Sequence, residues 1–109
     1  MIIETGVLIA LIVKALAAVP IVTAVTVLVL NFTQIIDWFK ELRPKNPQVD
    51  KSKLYFTLKD LWASGNYRTI QGVFDTRTQQ LGKVRSIRSA NVDARLADYH
   101  RNHRLVTYE

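Results

Sequence analysis

Between Thr5 and Phe39 the chain carries charge only at Lys14 and Asp37, whereas from Lys40 onward a charged residue recurs every few positions. The stretch from Ala15 to Leu30 has no charge at all, and continuing to Ile36 adds only Asn31, Thr33 and Gln34 as polar groups. A helix of about 20 apolar residues crosses a hydrocarbon core, so this pattern predicts a transmembrane helix. Taken as one helix, Ile2 to Phe39 would extend about 57 Å against a core of about 30 Å, so part of it must project from the lipid. Two placements fit. Either Ala15 to Ile36 spans and Lys14 lies at the outer interface, or Val7 to Leu30 spans and Lys14 snorkels or meets a partner. Pro20 is expected to kink the helix, which membrane helices tolerate. Trp38 is placed at the headgroups as an interfacial aromatic, with Asn31, Gln34 and Asp37 wetted nearby.

Arg43-Pro44-Lys45-Asn46-Pro47 marks a boundary, because two prolines in four positions end a helix and stiffen a linker. Beyond it, Leu54, Leu58, Leu61 and Trp62 recur at helical spacing, which predicts an amphipathic helix capped by Asp50 or Ser52 and stopped at Gly65-Asn66. Tyr67 to Phe74 and Leu81 to Ile87 are rich in strand formers and read as a hairpin about a turn at Asp75 to Thr78. Val92, Leu96 and Tyr99 predict a short helix capped by Ser89 or Asn91, and Leu105 to Tyr108 a last strand. The expected fold class is an α+β membrane protein: one long N-terminal transmembrane helix, an amphipathic helix and a small ββαβ cytoplasmic domain. The expected division is an anchor over 1–42, a linker over 43–49 and a basic domain over 50–109.

Charge sets the orientation. The net charge of +6 arises beyond the apolar run, and Lys40, Arg43, Lys45, Lys51 and Lys53 crowd its C-terminal flank, so the positive-inside bias puts the following domain in the cytoplasm. Met1 to Glu4 lacks a basic segment and the apolar run is long, so it reads as a retained anchor rather than a cleaved leader. The competing reading is a helix apolar all round, buried within a soluble oligomer. There is no cysteine, which excludes a disulfide framework, a thiolate nucleophile and a cysteine metal site.

Gly6, Ala10, Lys14, Ala17, Ala24 and Asn31 fall along one stripe of the expected helix, and small residues there let another helix approach closely. This predicts packing against other transmembrane helices, in a homo-oligomer or a larger complex. Arg77, Lys83, Arg85, Arg88, Arg95, Arg101 and Arg104 make the distal half basic, a surface for nucleic acid, anionic membrane lipid or an acidic protein. His100 and His103 have metal-like spacing but no third ligand, and arginines flank them. No phosphate-cradling glycine loop, nucleophile elbow or carboxylate pair stands out, so neither enzyme activity nor a cofactor is expected. The function expected from these features is a non-catalytic membrane anchor or accessory subunit that scaffolds a larger assembly. Alternatives are a membrane tether for nucleic acid or anionic lipid, and a holin-like pore-forming peptide.

Overall fold

A computed structural model of the chain describes residues 5–18, 23–42 and 53–108. In chain order the elements are helix α1 (Thr5–Ala18), strand β1 (Thr23–Leu30), helix α2 (Phe32–Leu42), strands β2 (Lys53–Ala63), β3 (Asn66–Asp75) and β4 (Gln80–Val92), helix α3 (Ala94–Tyr99) and strand β5 (Leu105–Tyr108). The strands form one sheet in the order β1-β4-β3-β2-β5. β1 runs parallel to β4, and every other pairing is antiparallel.

The expected long helix over 1–42 is therefore divided into α1, β1 and α2. Among the described residues no helix is long and apolar enough to cross a membrane, so the single-pass anchor falls, and with it the cytoplasmic orientation derived from it. The physical reason lies in Thr23 to Leu30. Five of its eight residues, Thr23, Val25, Thr26, Val27 and Val29, are β-branched, and such side chains favour a pleated surface over a helix. A strand in a parallel pair is also a nearly continuous apolar run, so hydropathy alone does not separate it from a membrane helix. Pro20 and the expected linker over 43–49 lie outside the described residues.

The expected amphipathic helix is also corrected: Lys53–Ala63 is a central strand, hydrogen-bonded to β3 on one side and β5 on the other. Helices cover both faces of the sheet, so β2 lacks the polar alternation that would have marked it as a strand. Leu54, Phe56 and Leu58 point toward α1 while Tyr55 points to the opposite side. Gly65, in the left-handed region at φ 78°, turns the β2–β3 hairpin instead of stopping a helix. The three-stranded sheet expected for the distal half thus becomes five-stranded, with β1 and β2 as the additions.

Other expected elements are present. β3 and β4 form a hairpin, and Asp75 shapes its turn by accepting hydrogen bonds from the Arg77 and Thr78 amides at 2.9 and 3.3 Å. Gly72 in β3 sits where any added methyl would overlap Val84 and crowd the Lys83 carbonyl. Helix α3 exists, but its cap is Asp93, whose carboxylate accepts from the Leu96 amide at 2.8 Å. The other oxygen of Asp93 accepts from the Phe32 amide at 3.0 Å, so one carboxylate satisfies the N-termini of both α2 and α3. Asn31 and Gln34 complete the α2 start reciprocally. The Asn31 side chain accepts from the Gln34 amide at 2.8 Å, and the Gln34 side chain accepts from the Asn31 amide at 3.1 Å, an amide version of the capping box.

The core is split by the sheet. On one side α1 buries Leu8 and Ile12 against Phe56, Leu58, Ile70, Phe74 and Leu105. On the other, α2 and α3 bury Ile35, Phe39 and Leu96 with Leu30 and Ile87. Trp38 does not stand at a lipid interface; it packs beside Phe39 and under the Arg85 guanidinium.

Candidate functional site

Three features stand out once the fold is assembled: a buried polar chain, a cleft beside α2, and an exposed apolar surface on α1 and β1.

The polar chain crosses the α2/α3 side of the sheet. His100 is fully buried at the end of α3. Its Nδ1 lies 3.1 Å from the His103 carbonyl oxygen, and a carbonyl only accepts, so Nδ1 carries the proton. Nε2 is then bare and accepts from the Thr57 hydroxyl at 2.7 Å. The Thr57 oxygen in turn accepts from the Tyr108 hydroxyl at 2.7 Å. Each member has a partner for its donor, and the direction of the chain is fixed. Burial pushes the His100 imidazole down to about 4, with the His103 carbonyl opposing and Lys59 assisting. Burial likewise pushes the Tyr108 phenol up to about 12. Both groups are held neutral across the physiological range, which suits a structural lock and disfavours proton transfer near pH 7. Aromatic rings enclose it: Trp62 lies 4.9 Å from His100, and Tyr108 lies 5.2 Å from Phe39.

Next to this chain, Gln71 is fully buried and donates to the Ile35 carbonyl of α2 at 2.9 Å. Its oxygen accepts from Arg85 Nε at 2.8 Å. The Arg85 guanidinium lies over the Trp38 ring at 4.8 Å. Burial lowers its pKa from the ordinary arginine value, and Glu41 partly offsets this. Arg85 forms part of a cleft of about 260 Å³ floored by Val25, Val27 and Ile87 and walled by Gln34, Asp37, Trp38 and Glu41 of α2.

The exposed surface begins on α1. Gly6, Ala10, Lys14 and Ala17 of the expected packing stripe are all exposed on this helix, with Val7 at 50% and Val13 at 39% exposure. Ala24 and Asn31 do not join them, because Ala24 lies in β1 and Asn31 precedes α2. β1 is an edge strand, and Leu28 on it is 79% exposed.

The seven expected cations are spread over the fold rather than joined in one stripe. Arg77 sits in the β3–β4 turn, where it pairs with Asp75. Lys83, Arg85 and Arg88 lie on β4, and alternation sends Arg85 and Arg88 to opposite faces. Arg95 covers the Phe32 ring at 4.1 Å, Arg101 pairs with Asp98 at 2.9 Å, and Arg104 approaches the Lys59 carbonyl at 3.4 Å. No group of three or more metal-ligating side chains occurs among the described residues, and both nitrogens of His100 are engaged by hydrogen bonds.

Sequence reasoning missed Thr57, Gln71 and Tyr108. No local signal marks them: Thr57 meets His100 and Tyr108, which lie 43 and 51 positions further along the chain. Compared with protein-family models, with curated proteins and with solved structures, the chain matches none.

Proposed function

We propose that the protein is a non-catalytic structural subunit that builds an assembly by packing the outer face of α1 against α1 of a second copy. The observation that carries this is the composition of α1. Apart from Thr5 and Lys14 the helix is made of apolar residues and glycine, yet its own domain covers only one side of it. Leu8 and Ile12 are buried and Ile9, Leu11, Ala15 and Leu16 pack partly against the same cluster, while Val7, Ala10, Val13 and Ala17 are exposed. A helix apolar all round is ordinarily covered all round. Gly6, Ala10 and Ala17 lack bulk, so a second helix can approach closely along that face. An antiparallel arrangement keeps the two Lys14 ammonium groups apart and brings Val7 and Val13 into contact across the two-fold axis.

Sedimentation equilibrium of the full chain tests the reading. The expected result is reversible self-association that is lost in Val13→Glu while the circular dichroism spectrum is kept. A chain that stays monomeric to its solubility limit, or one whose association ignores Val13→Glu, overturns it.

A further inference from the structure

The second exposed feature is β1, and its chemistry points to an occupant different from another copy. β1 hydrogen-bonds to β4 along one edge, and no described strand pairs with the other edge. Eight residues without a charge, a proline or a bulge make an unguarded template for strand addition. The opposite edge of the sheet is the four-residue β5, too short to serve equally well.

What lies above this edge sets the partner's chemistry. The wall of the cleft beside β1 is one flank of α2, with Gln34, Asp37, Trp38 and Glu41 at helical spacing. Asp37 and Glu41 are exposed and form no ion pair among the described residues. The cleft's own cation, Arg85, is hydrogen-bonded to Gln71 and lies over the Trp38 ring, and it forms no ion pair with either carboxylate, although Glu41 acts on it at longer range. An added strand would therefore present every second side chain toward two exposed carboxylates. Its alternate side chains would fall on the opposite face beside Leu28, whose exposure asks for apolar cover. A second copy of β1 fits poorly. Antiparallel pairing of two β1 edges about an axis normal to the sheet would place both α2 flanks on the same side and set carboxylates against carboxylates.

We infer that the β1 edge binds an extended segment of a partner protein in which lysine or arginine alternates with aliphatic residues, the cations meeting Asp37 and Glu41. This adds a second contact to the proposed structural role and rests on that reading only in treating the chain as an assembly component.

A blocked seven-residue peptide alternating lysine and valine is the probe, titrated into the labelled full chain at low salt and followed by amide resonances. The expected result is shifted, exchange-protected amides within Val25 to Leu30, with affinity reduced about tenfold in Asp37→Asn/Glu41→Gln, as expected for losing two exposed ion pairs. A glutamate–valine peptide is expected not to bind, nor is a lysine–valine peptide N-methylated at alternate residues, which keeps the charge but cannot pair as a strand. Three results would overturn the inference: no response in β1, equal binding of the glutamate peptide, or undiminished binding of the N-methylated one. Loss of peptide binding with self-association intact sinks this inference alone, and the reverse outcome sinks the α1 assembly alone.

Discussion

The two sides of the sheet bury similar numbers of large side chains by different means. Toward α1 the buried set is hydrocarbon: Leu8, Ile12, Phe56, Leu58, Ile70, Phe74 and Leu105. Toward α2 and α3 the apolar set is interleaved with buried Thr57, Thr69, Gln71, Ser89 and His100. Apolar contact is non-directional and roughly proportional to area, so the α1 side is held in place without specifying orientation closely. Directional bonds do the opposite. Gln71 to Ile35, Thr57 to His100 and Trp62 to Thr69 each fix an element at one register, at the risk that a half-broken network costs more than none. The comparison teaches that the hydrocarbon side supplies bulk stability, while the polar side supplies position and pH response.

The largest break of that contrast comes from the hydrocarbon side. Phe74→Ala leaves a cavity in the α1 cluster and is expected to cost about 3–5 kcal/mol in urea unfolding, with a pH dependence parallel to that of the parent. A pH-dependent penalty would show that the two sides are coupled more tightly than their contacts imply.

The polar side sets the next effect. His100 has a folded pKa of about 4, below its unfolded value of about 6.5, so the unfolded chain binds the proton first. Stability is therefore full above pH 6.5 and falls as the pH drops toward 4, by about 3 kcal/mol over that window. Tyr108, raised to about 12, has the mirror-image effect: its contribution is present below about pH 10 and declines as the pH rises toward 12. Urea midpoints at pH 7.5, 5.5 and 4.5 measure the acid limb, and His100→Gln is expected to flatten it. An equally steep limb in that variant would assign the acid response to other groups.

The smallest effect sharpens the comparison. Ser89 is 3% exposed, and its hydroxyl has no hydrogen-bond partner among the described residues. A buried hydroxyl without a partner is a cost, so Ser89→Ala is expected to be neutral or stabilising by up to about 1 kcal/mol. A clear loss of thermal stability would mean that this oxygen is bonded after all.

Much of the distal half was legible in the sequence. The β3–β4 hairpin follows from strand formers on either side of Asp75, and α3 and β5 follow from short-range periodicity at Leu96 and Leu105. The apolar N-terminal third was misread because composition there fits two burial modes. Val25, Val27 and Leu30 are as apolar in a sheet as in a bilayer, and only their pairing with β4 distinguishes the two. β2 was misread for a related reason: Leu54 and Leu58 are four apart, which satisfies a helix and also one face of a strand. For the site, Gly6, Ala10 and Lys14 were legible as one surface, while the Thr57–His100–Tyr108 chain was not, since nothing local links its members.

What the sequence determined by itself was the inventory: an N-terminal third with almost no charge that must be covered by something, a basic remainder without thiols, a turn at Asp75 and an element break at Gly65. The tertiary structure decided what covers the apolar third, setting β1 beside β4 and half of α1 on the sheet and leaving the other half bare. The reason is that hydrophobicity fixes how much surface leaves water but not which neighbour receives it. Backbone hydrogen bonding between segments some 60 positions apart makes that choice, and no local pattern encodes it.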